Sequence, residues 1–355
     1  MRFSSLTLAL SPAETDDGAR IQEQLALAEL AEELGYAGIW LTEHYFTGES
    51  VYNDPLTFAA ALASRTKRMR IGFAVIQMPF HHPVTLASQL ALLDNLSGGR
   101  IDVGIGKGTV YNEYEFLGHG LSSKDSRARM EEAFEIFRRI WTETPLDFEG
   151  EYYSVKVPAL RPAPVQRPGP PLWRSVISEP SFDECGRLGV PILTARLPVD
   201  RIASRWALYR NGMAAGGVCE ARQAELLRQS GVWRNVYVAD SDAQAEDELS
   251  HWLTEARSHM MHVRAELNPP DFEIDPAALA PWSDPAVSDG DAVADVMGSG
   301  SIFGSPETVR GAVEALRDAG VGHLVCQTAF GDMGYETAAA AMTRLGRDVA
   351  PAFPD

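Results

Sequence analysis

Short apolar runs and longer amphipathic stretches alternate along almost the whole chain, and this alternation restricts the fold more than any other feature. The apolar runs fall at residues 3–10, 38–42, 69–77, 101–105, 172–177, 190–194, 232–239 and 322–327. Helical patterns occupy 18–34, 54–68, 83–96, 125–142, 179–188, 198–215, 241–264, 306–319 and 335–349. Strand–helix alternation means parallel strands joined by right-handed crossovers. Eight such units predict an α/β fold of the (β/α)8 TIM-barrel type in preference to a doubly wound sheet. No linker or shift in composition interrupts residues 1–355, so a single domain is expected. Two insertions stand out. Residues 143–171, after the fourth helix, are rich in proline and tyrosine and read as a hairpin-like excursion. Residues 266–303, after the seventh, are rich in Pro, Asp, Gly and Ser and have little periodicity. A structureless stretch of that length is usually functional or disordered. This one, with its run Gly298-Ser299-Gly300-Ser301, is expected to be mobile and to close over the site as a lid.

In such barrels the site is built where the strands end. The second strand ends in Thr42-Glu43-His44-Tyr45-Phe46, a carboxylate and an imidazole directly after a buried run. The third ends in Ala74-Val75-Ile76-Gln77, the fourth in Gly106-Lys107-Gly108, and the fifth leads into Ser178-Glu179-Pro180-Ser181. Taken singly, each feature is weak. The histidine could be structural, the lysine lacks the Lys-Ser/Thr ending and spacing of a P-loop, and the serines could simply cap a helix. Their coincidence at one mouth favours a site for an anionic group, most simply a phosphate, at a helix start beside a lysine. His81-His82 have no nearby partner in sequence, and no metal site is expected.

Composition narrows the partners. The net charge is −18, which disfavours nucleic acid and anionic membranes. The cysteines, Cys185, Cys219 and Cys326, are far apart, with neither a disulfide framework nor zinc spacing. The opening MRFSSLTLAL is too short for a secretion signal, and no run could span a bilayer, so a cytoplasmic protein is expected.

The segments EHYF, NDPLTFAAALASRT, RIGFAVIQMPFHHPV, LLDNLSGGRIDVGIGKG and EFLGHG together resemble the bacterial luciferase-like flavin-dependent monooxygenases. The resemblance is nearly ungapped from residue 40 to 118 and continues through DSRARM, GRLGVPIL, NVYVAD and IFGSPETV. It implies reduced FMN as a diffusible cofactor supplied by a separate flavin reductase. It also implies O2 activation as a flavin C4a-hydroperoxide, oxygenation of a small organic substrate such as a carbonyl compound, and a homodimer. On the matching positions, His44 takes the place of the catalytic histidine, and Glu113 that of an acidic residue near the flavin. Glu43 supports the flavin site, Ala74 and Val75 form a cis peptide against the ring, and Lys107, Arg127, Ser178 and Ser181 hold the phosphate. The sequence departs from luciferase at Tyr45, which replaces a second histidine, and at Gly106, which replaces a reactive cysteine. It departs again at Lys107, where an arginine fork is lost. These changes disfavour light emission and leave oxygen chemistry open. The same resemblance admits an F420-dependent oxidoreductase, although a polyglutamate tail would want a more basic mouth. It also admits a non-catalytic flavin-binding subunit, against which the retained His44 argues.

Overall fold

The computed structural model describes residues 1–274 and 279–354. In chain order the elements are β1 (Arg2–Thr7), α1 (Asp17–Glu33), β2 (Gly38–Leu41), α2 (Pro55–Arg65), β3 (Arg70–Phe73), β4 (Ile76–Gln77), α3 (Pro83–Ser97) and β5 (Ile101–Gly106). Next come α4 (Glu113–Gly118), α5 (Ser126–Ile140), β6 (Leu146–Glu149), β7 (Ser154–Val157), β8 (Leu172–Ser175), α6 (Glu179–Leu188), β9 (Ile192–Ala195), α7 (Val199–Ala215) and α8 (Glu220–Gln229). The chain closes with β10 (Gly231–Val238), α9 (Asp242–Leu267), α10 (Asp289–Gly300), β11 (Ser301–Gly304), α11 (Pro306–Asp318), β12 (His323–Gln327) and α12 (Tyr335–Arg344).

Strands β1, β2, β3, β5, β8, β9, β10 and β12 pair in that order, all parallel, and β12 returns to β1. The ring is therefore a closed eight-stranded TIM barrel, as the alternation predicts. Local chemistry sets the element ends. Asp54 caps α2 by accepting from the Leu56 and Thr57 amides, and Pro55 occupies the first turn. Gly98 ends α3 at φ 69, a conformation that costs glycine little.

Two tryptophans fill the barrel interior. Trp40 and Trp173 meet edge-to-face with centroids 4.8 Å apart, in contact with Leu6, Leu193 and Val325. Gly72 makes room for them, because a Cβ there would stand 2.5 Å from the Trp40 ring. Toward the mouth the third strand breaks into β3 and β4. From Gly72 to Ile76 the chain advances four residues, while the facing strand from Asp102 to Ile105 advances three. The extra residue makes a bulge that re-aims the strand end, and the Ala74–Val75 peptide within it is cis, as the resemblance implies.

The first insertion holds the antiparallel β6–β7 hairpin, in line with its reading as a hairpin. The second corrects the expectation of an unstructured stretch. Its end forms α10, whose Ala292, Val293 and Val296 are buried, and then β11. Asn235 pairs with Gln327 on one side and Ser301 on the other, so β11 extends the edge of β10 that β9 occupies lower down. The supposed flexible run 298–301 is thus a helix end joined to a strand. Three glycines hide α10 in the sequence, because they lower its helix propensity and leave only a thin apolar stripe. Residues 275–278 of this insertion lie outside the described residues. The loop after β5 likewise contains the short helix α4, too brief for a periodic signal.

Candidate active site

At the end of β2 the chain turns out of the barrel and is pinned at once. The Thr42 amide donates to Tyr52 Oη at 2.9 Å, and Thr42 Oγ1 lies 2.6 Å from Ser50 Oγ. Glu43 then turns inward and is fully buried. Its carboxylate accepts from Tyr45 Oη at 2.5 Å, meets His81 Nε2 at 2.7 Å and accepts the Gln77 amide. Glu43 therefore ties the end of β2 to the end of β4. Gln77 extends the tie, its Oε1 accepting from the Thr109 amide at 3.1 Å in the loop after β5. His81, which has no partner in its own stretch of sequence, has one in Glu43.

His44 points the other way, into a second acidic pair. Its Nδ1 lies 3.2 Å from Glu115 Oε1 and its Nε2 3.8 Å from Glu49 Oε1. Glu115 is fully buried and also accepts the Tyr45 amide at 2.9 Å, which fixes the loop and the ring together. Burial alone would push the imidazole down. The charges of Glu49 and Glu115 and the bond to Glu115 outweigh it and raise His44 to about 9, against a smaller opposing effect of Arg264. At neutral pH the side chain is an imidazolium. Its pKa lies above the ordinary value of 6.5, so its favourable contribution to folding is complete below that pH and is lost as pH rises through about 9. Histidine NMR titration should find His44 still protonated near pH 8, and Glu115→Gln should lower its midpoint. An unshifted midpoint in that variant would remove Glu115 as the cause.

An aromatic wall is built on Tyr45, the residue after His44. The Phe80 and His119 rings stack at 4.4 Å, Tyr45 meets His119 edge-on at 4.6 Å, and Phe116 meets Phe80 at 4.9 Å. Helix α9 closes the neighbouring side, with Arg264 Nε donating to Asn112 Oδ1 at 2.8 Å and His259 Nε2 lying 3.0 Å from Thr47 O.

Lys107 follows the last residue of β5. Burial and then the charge of Arg127 push its pKa down, so these two cations lie within electrostatic reach of each other. Among the described residues neither has a carboxylate partner. Ser178 stands at the N-cap of α6, yet its Oγ does not cap the backbone. It pairs with Ser181 Oγ at 2.8 Å, leaving the amides of the first turn of α6 without a side-chain cap. Glu113 lies apart from His44 and accepts the Ser123 amide at 3.0 Å. The carboxylates that meet the imidazole are Glu115 and Glu49, which the sequence reading omitted. A local hint existed: Glu115 lies between two aromatic residues in Tyr114-Glu115-Phe116, an unusual setting for a solvated acid.

A (β/α)8 barrel with a buried acid–imidazole cluster and an unpaired cationic pair at one strand-end face is the architecture of an enzyme. A sequence model described as luciferase-like monooxygenase matches residues 1–323, and the chain belongs to that family. It is 31% identical over 258 residues to 4-hydroxyprotoasukamycin monooxygenase of Streptomyces nodosus subsp. asukaensis, covering 70% of this chain and 67% of the relative. It is 24% identical over 339 residues to the oxygenase component of the flavin-dependent trigonelline monooxygenase of Acinetobacter baylyi, covering 94% and 90%. The crystal structure of monooxygenase RslO1 from Streptomyces bottropensis superposes with a TM-score of 0.82 at 28% identity, covering all of both chains. An F420-dependent secondary alcohol dehydrogenase shares the fold, with a TM-score of 0.73 at 17% identity, covering 100% of this chain and 99% of that one. Among the described residues, no helix is long and apolar enough to cross a membrane.

Proposed function

We propose that this chain is the oxygenase of a two-component system that takes reduced FMN from a separate flavin reductase and uses O2 to oxygenate a small organic molecule. The observation that carries this reading is the pair Lys107 and Arg127. In a chain of net charge −18 these two cations have no acidic partner among the described residues, and two serine hydroxyls, bonded to each other and not to the helix backbone, lie at a helix start on the neighbouring strand end. That donor set suits a phosphate monoester. Family membership and the flavin-dependent relative support FMN as the molecule that carries it. The acidity of the chain disfavours the polyglutamate tail of F420.

When bound, the reduced flavin supplies the electrons that activate O2. The protein holds, shields and protonates. Lys107, Arg127, Ser178 and Ser181 hold the phosphate. Ala74 and Val75 offer a flat surface of small side chain and backbone to the ring. Glu43 keeps that surface in place through the Gln77 amide. His44 Nδ1–H donates a hydrogen bond to Glu115, while its Nε2–H, 3.8 Å from Glu49 and so not hydrogen-bonded to it, remains able to protonate a reacting oxygen, which makes His44 the general acid. Glu113 steadies the segment between α4 and α5 through Ser123. The aromatic wall excludes water. A homodimer is the proposed assembly.

Lys107→Ala is expected to weaken FMN binding by about 1.5–3 kcal/mol, the scale of a charge-assisted hydrogen bond. Riboflavin, which lacks the phosphate, should bind both proteins alike in a fluorescence titration. An equal loss for riboflavin would overturn the phosphate assignment.

A further inference from the structure

Arg196 follows the last residue of β9, at the same face of the barrel as His44. Its backbone is left-handed at φ 47, a conformation that a non-glycine residue holds only when its surroundings impose it. Those surroundings are visible. The guanidinium carbon lies 4.4 Å from the Trp233 ring centroid and 5.2 Å from that of Trp282. Gly300 supplies the third wall, because a Cβ there would stand 2.9 Å from Arg196 Cγ. The Trp282 turn and α10 thus belong to the device that fixes this side chain.

A guanidinium clamped so firmly should have an anion to meet. Among the described residues it has none in contact. Its Nε is sealed from solvent without an acceptor, and no carboxylate lies within ion-pair distance. Burial pushes its pKa down to about 10, with Tyr111, Glu49 and Asp295 opposing. Glu49 also faces His44 Nε2, so the imidazole and the guanidinium share a neighbour. Arg234, buried one strand over, spends its donors on the Leu197 and Trp233 carbonyls and brings no negative charge. A buried cation without a counter-charge is costly, and Arg196 stands at the strand-end face, where a ligand can supply one.

We infer that Arg196 anchors a carboxylate of the organic substrate, so that the molecule oxygenated by this enzyme is an organic acid. The inference rests on the proposed oxygenase reading and adds the substrate class. A planar guanidinium donates two parallel N–H bonds to the two oxygens of a carboxylate, whereas a neutral carbonyl oxygen accepts from it singly. The cation–π contacts orient the fork, and the substrate acid supplies the charge that the protein withholds.

The test compares 1-naphthoate with 1-naphthamide, which match in shape and differ in charge. Binding is followed by tryptophan fluorescence, which Trp233 and Trp282 should report, and by calorimetry. Wild-type protein should prefer the carboxylate. Arg196→Met should weaken the carboxylate by about 10–100-fold and the amide by less than about 3-fold, with Arg196→Lys in between. Equal weakening of both probes would reduce Arg196 to a packing role and overturn the inference. No preference in the wild type, or no binding of the carboxylate, would overturn it as well. If Arg196→Met loses affinity for reduced FMN while naphthoate is unaffected, the guanidinium faces the flavin and the inference fails. In that case the oxygenase reading stands. Failure of wild-type protein to bind reduced FMN would sink that reading instead, whatever the naphthoate result.

Discussion

Replacing His44 with alanine is expected to lower product formation by about 10²–10⁴-fold, the usual contribution of a positioned acid or base. Reduced FMN should remain bound at nearly wild-type affinity, because none of the groups assigned to the phosphate touches the imidazole. Oxygen should still be consumed, and hydrogen peroxide should appear in place of product. The reason lies in the charge arrangement. His44 is held protonated by Glu115 and Glu49, so its loss removes the proton source and leaves two carboxylates facing each other. Glu115→Gln should give a milder form of the same defect, with activity falling at lower pH than in the wild type, because the imidazole loses the charge of its hydrogen-bonded partner. Unchanged product yield in His44→Ala would make His44 a structural residue.

Gly104→Ala is expected to destabilise the barrel by about 3 kcal/mol or more, at the upper end of overpacking effects. An added Cβ would lie 2.0 Å from the Phe73 carbonyl oxygen, at the approach of β5 to β3 just before the bulge. Backbone cannot swing aside as a side-chain tip can, so β5 would have to shift, carrying Gly106 and Lys107 with it. A control isolates the effect. Gly18→Ala, in the first turn of α1, meets nothing within 4 Å and should be neutral or stabilising by about 0.5–1 kcal/mol. Urea unfolding of the two variants measures the contrast. Similar midpoints would mean that the two strands are not packed as closely as described.

The barrel was legible because its evidence is local. Each strand is an apolar run and most helices carry a repeating stripe, so alternation alone dictates parallel strands and a closed ring. The elements that escaped carry weak local signals. Helix α8 buries only Leu226, and α10 is diluted by glycine. The site divides in the same way. His44 and Glu43 announce themselves by following a buried strand. Glu115 does not, because it reaches His44 across 71 residues of sequence and its importance comes from a long-range contact. Arg196 is similar. Nothing in Thr194-Ala195-Arg196-Leu197 foretells that Trp233 and Trp282 will close on the guanidinium. Chemistry set by one strand end can be read from sequence, whereas chemistry set by two loops meeting requires the fold.

This mouth is proposed to bind reduced FMN for reaction with oxygen. Anaerobic titration with reduced FMN and, separately, reduced F420, followed by mixing with O2, tests it directly. The expected result is saturable binding of reduced FMN at a site weakened by Lys107→Ala, weaker or no binding of F420, and oxygen uptake by the FMN complex. Tight binding of F420 with no oxygen uptake, or reduced FMN affinity indifferent to Lys107, would contradict it.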